Sequence, residues 1–116
     1  MDNIAIKEML DLNKLKMVFG MLSKNDKVIL LKLLYKHRNE MGINETQLME
    51  LSKVKGMNMS KLVSDIIRQN LAQYNDEQIE NGVKEALKHL DEEDKEDILK
   101  LNCIPQEVKE IIMRLI

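Results

Sequence analysis

Apolar residues recur at spacings of three and four along nearly the whole chain, and no stretch of six residues alternates strictly between apolar and polar. A period near 3.6 rather than 2 predicts helix after helix and no strand. The first helix is expected from Asn3 to about Phe19, with Ile6, Met9, Leu10, Leu12 and Val18 inward and Gly20 weakening its end. Ser23, with Asp26 three residues on, then caps a helix running to about Glu40. That helix carries Val28, Ile29, Leu30, Leu31, Leu33, Leu34 and Tyr35. Apolar on most of its surface, it is expected to be buried by neighbours or by a second subunit.

Gly42 closes this helix and Asn44 caps a third, Glu45 to Lys55, with Leu48, Leu51 and Val54 inward. Gly56 is expected to end it in the left-handed conformation that glycine accepts without steric penalty. A fourth helix opens at Asn58 or Met59 and runs to about Ala72. Asn75 with Gln78 caps a fifth, whose stripe is Ile79, Val83, Ala86, Leu87 and Leu90. Asp91 caps a short acidic helix to Leu101, and Pro105 starts the last, with Val108, Ile111, Ile112 and Leu115 inward. The expected fold is therefore all-α, a bundle of six or seven short helices.

Composition narrows this further. A chain of 116 residues with 44% apolar content supplies one core, so a single helical domain over 1–116 is expected. Phe19, Tyr35 and Tyr74 are the only aromatics, which leaves the core to aliphatic side chains and to nine Met read as core. Asp2, Glu8 and Asp11 interrupt any signal-peptide core, and Val28 to Leu31 is the longest apolar run. Neither export nor a membrane span, which needs about 20 residues, is expected. Cys103 stands alone, in keeping with a reducing, cytoplasmic setting.

The formal charge of −2 conceals an asymmetry. Residues 1–72 hold twelve Lys/Arg against eight Asp/Glu, a balance of +4, while residues 73–116 hold six against twelve, a balance of −6. The basic half suits a polyanion, and the acidic half suits a protein partner.

Residues 45–71, ETQLMELSKVKGMNMSKLVSDIIRQNL, read as a helix, a turn about Gly56 and a second helix, pinned by Leu48, Leu51, Leu62 and Ile66 with small Ser52 where the helices approach. This is the pattern of a helix-turn-helix. Together with the preceding LSKNDKVILLKLLYKHRN, residues 22–71 resemble the core of winged-helix regulators of the MarR type. The wing has no counterpart, because Ala72 to Asp76 leads straight into another helix. Gly56 to Leu71 is also similar to the second half of ribbon-helix-helix proteins, although His37 to Ile43 is a poor basic strand. The resemblance implies a DNA-binding regulator, of transcriptional or plasmid/phage type, acting as a homodimer.

On the second motif helix, Met59, Leu62, Val63, Ile66 and Ile67 fall on one side, and Lys61, Ser64 and Arg68 align at i, i+3 and i+7 on the other. These three are the expected base and phosphate contacts, with Thr46, Gln47, Lys53 and Lys55 positioning the helix on phosphates. Asp65 lies beside this face and repels phosphate. The alternative is a helical interaction module, adaptor or inhibitor, that binds a protein and no nucleic acid.

No catalytic set emerges. His37 and His89 sit in no nucleophile pattern, and Glu85 with His89 at i, i+4 makes only half a metal site. Cys103 has no histidine near it in sequence, the carboxylates of residues 91–97 lack apolar surroundings, and no glycine loop can cradle a phosphate. An enzyme, a bound metal or a cofactor is not expected.

Overall fold

The computed structural model describes residues 12–116. Among them the backbone forms eight helices and no strand: α1 (Leu12–Met21), α2 (Lys24–Lys36), α3 (Arg38–Met41), α4 (Glu45–Lys53), α5 (Ser60–Leu71), α6 (Asp76–Leu87), α7 (Glu92–Leu99) and α8 (Gln106–Leu115). The protein is all-α, as its periodicity requires. Ile6, Met9 and Leu10 of the expected first helix lie outside the described residues.

Local chemistry accounts for the helix ends. Ser23 Oγ accepts from the Asp26 amide at 3.3 Å to open α2. Full capping boxes open α4 (Asn44 and Gln47, 2.8 and 3.0 Å), α6 (Asn75 and Gln78, 2.8 and 2.9 Å) and α7 (Asp91 and Asp94, 2.9 and 3.4 Å). Each satisfies two amides that a helix start leaves without internal partners. Pro105 sits one position before α8, at its N-cap.

One expected helix is two. The chain from Lys24 to Met41 bends at His37 (φ −103, ψ 16), separating α2 from the four-residue α3. Arg38 fastens the bend: its Nη1 donates to the Tyr35 carbonyl at 2.8 Å, and its guanidinium lies 4.2 Å from the centre of the Tyr35 ring. Gly42 then ends α3 at φ 70, in the left-handed region.

The described residues fall into two compact units, the first ending at Met59 and the second running from Ser60 to Ile116. In the first unit α4 packs on α1 and α2, and Phe19, Leu22, Leu34, Ile43, Leu48 and Leu51 are buried. The Lys27 Nζ donates to the Ser52 and Val54 carbonyls, placing a cation at the negative end of α4. In the second unit α8 packs on α6 and α7, and Leu87, Leu101, Cys103, Pro105 and Ile112 are buried.

The segment after α4 explains where the boundary falls. The Met57 and Met59 amides donate to the Gly20 and Met21 carbonyls at 2.9 and 2.6 Å, which ties this segment to the end of α1. A Cβ on Gly56 would collide with the Leu22 carbonyl oxygen. Close approach is therefore what demands glycine at 56, and the left-handed residue of this turn is Asn58 (φ 56). The boundary at 59/60 thus lies inside the expected helix pair. Its first helix packs within the first unit, and its second belongs to the other.

Several residues expected inside are outside. Val18 is exposed, and none of the described methionines is buried; Met17, Met49, Met57 and Met113 are all exposed. On α5, Leu62 and Ile66 are each 42% exposed, whereas Ser60 and Ser64 are buried. The apolar arc of α5 spans Leu62, Val63, Ile66, Ile67 and Leu71, wider than the strip a helix buries.

Candidate partner-binding groove

Of the seven positions expected to meet nucleic acid, Thr46, Gln47, Lys53 and Lys55 belong to the first unit and Lys61, Ser64 and Arg68 to the second. Thr46, Lys53 and Lys55 are exposed on and just after α4, in the first unit, and Lys61 is exposed on α5, in the second. The Gln47 side chain is committed to the capping box, its Oε1 accepting from the Asn44 amide. Ser64 is only 8% exposed and so is not on the outward face of α5. That strip of the helix was assigned to solvent because the apolar arc was centred one position too far round.

Arg68 is outward but engaged. Its Nε donates to Glu107 Oε2 at 2.6 Å and its Nη2 to Glu107 Oε1 at 3.2 Å, while Nη1 meets Asp65 Oδ1 at 3.0 Å. Both faces of the guanidinium fork therefore carry a carboxylate. Hydrogen bonding to Glu107 and its charge raise the Arg68 pKa above the ordinary arginine value, against a small cost of desolvation. The Arg68 hydrogen bond holds the Glu107 carboxyl below the ordinary glutamate range, helped by a backbone hydrogen bond. A phosphate would have to displace two carboxylates to reach Arg68. Glu85, four residues before His89, pairs with Lys88 at 2.8 Å, and no group of three metal-ligating side chains occurs among the described residues.

The second unit holds a different feature, an apolar groove of about 410 Å³. One wall is Ile67 and Leu71 of α5, with Tyr74 also in the lining. The floor is the face of α6 that carries Gln78, Ile79, Gly82, Val83 and Ala86. Ile104, Pro105 and Val108 form the opposite wall. The capping box of Asn75 and Gln78 fixes the start of α6, and Pro105 fixes the start of α8, so the floor and one wall stand on defined helix ends.

Gly82 is the informative residue on this floor. Mid-helix glycine is unfavourable by about 1 kcal/mol relative to alanine, and a Cβ at Gly82 would meet no atom within 4 Å. Nothing in the chain's own packing requires glycine there. Its effect is to leave the floor low.

The groove has a charged border. A second recess of about 270 Å³ shares Leu71, Tyr74, Ile79 and Val108 with it and adds Arg68, Asp76 and Glu107. Arg68 offsets only one of the two carboxylates, Asp76 and Glu107, so the charged groups of this recess are net acidic. The whole unit 60–116 carries thirteen Asp/Glu against eight Lys/Arg.

No family model, curated protein or solved structure is similar to the chain. The groove was partly foreshadowed. The stripe Ile79, Val83, Ala86 has the spacing of a helix face seeking cover, which periodicity alone does not distinguish from an interior one. The overlooked signal was Gly82 in the middle of that stripe.

Proposed function

We propose that this protein is a helical interaction module whose unit 60–116 receives an amphipathic helix of a protein partner. The apolar groove floored by α6 carries this reading. Its volume falls in the range of ordinary binding sites, roughly 300–1,000 Å³, and the wall of Ile67 and Leu71 with the floor of Ile79, Val83 and Ala86 offers the helical spacing that helix-in-groove recognition uses. The low floor at Gly82 admits a partner side chain deeply.

Charge selects the partner. An acidic border and a unit with five more carboxylates than cations favour a helix whose apolar stripe is flanked by Lys or Arg, because opposite potentials steer association and suppress wrong partners. The same charge balance opposes DNA, whose binding needs cations free to release counterions. Sequence-specific DNA binding, the reading raised by the resemblance of residues 22–71, would rest on Thr46, Lys53, Lys55 and Lys61.

Two labelled peptides test the proposal. Both carry a Leu stripe at i, i+3, i+4 and i+7, one flanked by Lys and the other by Glu. Fluorescence anisotropy should show saturable binding of the Lys peptide and weaker binding of the Glu peptide, the difference shrinking as salt rises. Failure of both peptides to bind, with a duplex DNA shifting steeply with salt, would overturn the reading in favour of nucleic acid.

A further inference from the structure

The first unit carries an independent surface of another kind. Val28, Leu31 and Tyr35 lie at i, i+3 and i+7 of α2 and so form one stripe. Val28 is 59% and Tyr35 54% exposed. Between this stripe and α4 lies a cleft of about 450 Å³, lined by Leu31, Tyr35, Glu45, Leu48, Met49 and Ser52. The surface thus holds a recess and, at its lip, an apolar knob, since Met49 is 59% exposed. It also carries charges of both signs: besides Lys27, which is engaged with the Ser52 carbonyl, Arg38 lies on the Tyr35 ring, and neither Arg38 nor Glu45 has an ion-pair partner among the described residues.

A knob, a hole, a cation and an anion on one patch are what a two-fold interface requires. When a copy is turned through 180°, residue i of each meets residue j of the other, so every unlike pair is satisfied twice. We infer that the α2/α4 surface is where a second copy of this chain docks: Met49 of each copy enters the cleft of the other, and Arg38 of each meets Glu45 of the other. A partner of different sequence would have to supply each complement separately, whereas a second copy carries all four by symmetry. Methionine suits the knob, because its unbranched side chain adapts to an irregular recess.

Sedimentation equilibrium of the full chain at tens of micromolar tests this. The parent should sediment as a dimer. Met49→Glu, a change at an exposed position, should give a monomer with an unaltered circular dichroism spectrum. R38E and E45R should each weaken the dimer by about tenfold or more, and the double variant R38E/E45R should recover most of that loss. Only direct pairing across the interface predicts such recovery. A parent that stays monomeric at these concentrations, a Met49→Glu dimer as tight as the parent, or a double variant as weak as the two losses combined would each overturn the inference. The peptide measurements on the other unit are unaffected either way.

Discussion

Gly82 separates stability from binding, because the two respond to its replacement with opposite sign. It is the seventh of the twelve residues of α6, Asp76–Leu87. Gly82→Ala removes the backbone freedom that glycine has when unfolded and adds a methyl group that meets nothing within 4 Å. The expected gain is about 1 kcal/mol, which for a domain of this size raises the melting temperature by roughly 4–8 °C. Gly82→Leu should retain most of that gain, since leucine is nearly as good a helix former as alanine. Its side chain, however, projects from the groove floor and occupies space a partner needs. Thermal melts followed by circular dichroism, paired with anisotropy of the Lys-flanked peptide, read both effects on one sample. The reasoning predicts a higher melting temperature for both variants, near-parental affinity for Gly82→Ala and at least about tenfold weaker binding for Gly82→Leu. A lower melting temperature for Gly82→Ala would refute the open space above α6. Undiminished affinity in Gly82→Leu would refute the groove as the binding site.

Three further outcomes follow from the packing. Gly56→Ala should destabilise the first unit by about 1–3 kcal/mol in urea titrations, because the new Cβ must displace the Leu22 carbonyl at the end of α1. Leu51→Ala, at a side chain with no exposure, should cost roughly 2–5 kcal/mol, whereas Ile66→Ala, at a position 42% exposed, should cost about 1 kcal/mol or less; equal costs would contradict the orientation of α5. The carboxyl of Glu107 titrates below its ordinary value of 4.5 in the folded state because of Arg68, so the pair's contribution is complete above that value and is lost as pH falls through the lower, folded value. Denaturation midpoints measured between pH 7 and 3 should therefore decline less steeply in Glu107→Gln than in the parent.

How far the sequence foretells this structure depends on what each residue answers to. Helix starts were legible because Ser23, Asn44, Asn75 and Asp91 act on amides two or three residues away, and that chemistry is the same in any fold. Buried positions were legible where a helix has a single narrow stripe: Leu48 and Leu51 on α4 are inside as expected. The α5 helix has an apolar arc broader than the strip a neighbour can cover, so its rotation depends on packing that periodicity does not encode, and Ser64 and Ile66 exchanged places between surface and core. Arg68 shows the same limit for charge. Its cation was visible in the sequence, but Glu107, thirty-nine residues away and on another helix, neutralises it. The tie of Met57 and Met59 to the end of α1 is made by backbone bonds, and these involve no side-chain signature. Tyr35 and Arg38 likewise divide one expected helix through a local contact that hydrophobic pattern does not record.

The account's central claim is that the α6 groove binds a basic amphipathic helix, and the most direct measurement is the change in amide resonances of the ¹⁵N-labelled chain on titration with the unlabelled Lys-flanked peptide. The account predicts saturable shifts concentrated at Leu71, Ile79, Gly82, Val83, Ala86 and Val108, with Leu48 and Met49 of the first unit unmoved. Saturable shifts that leave the residues of α6 unchanged, or none at all at peptide concentrations up to about a millimolar, would contradict it.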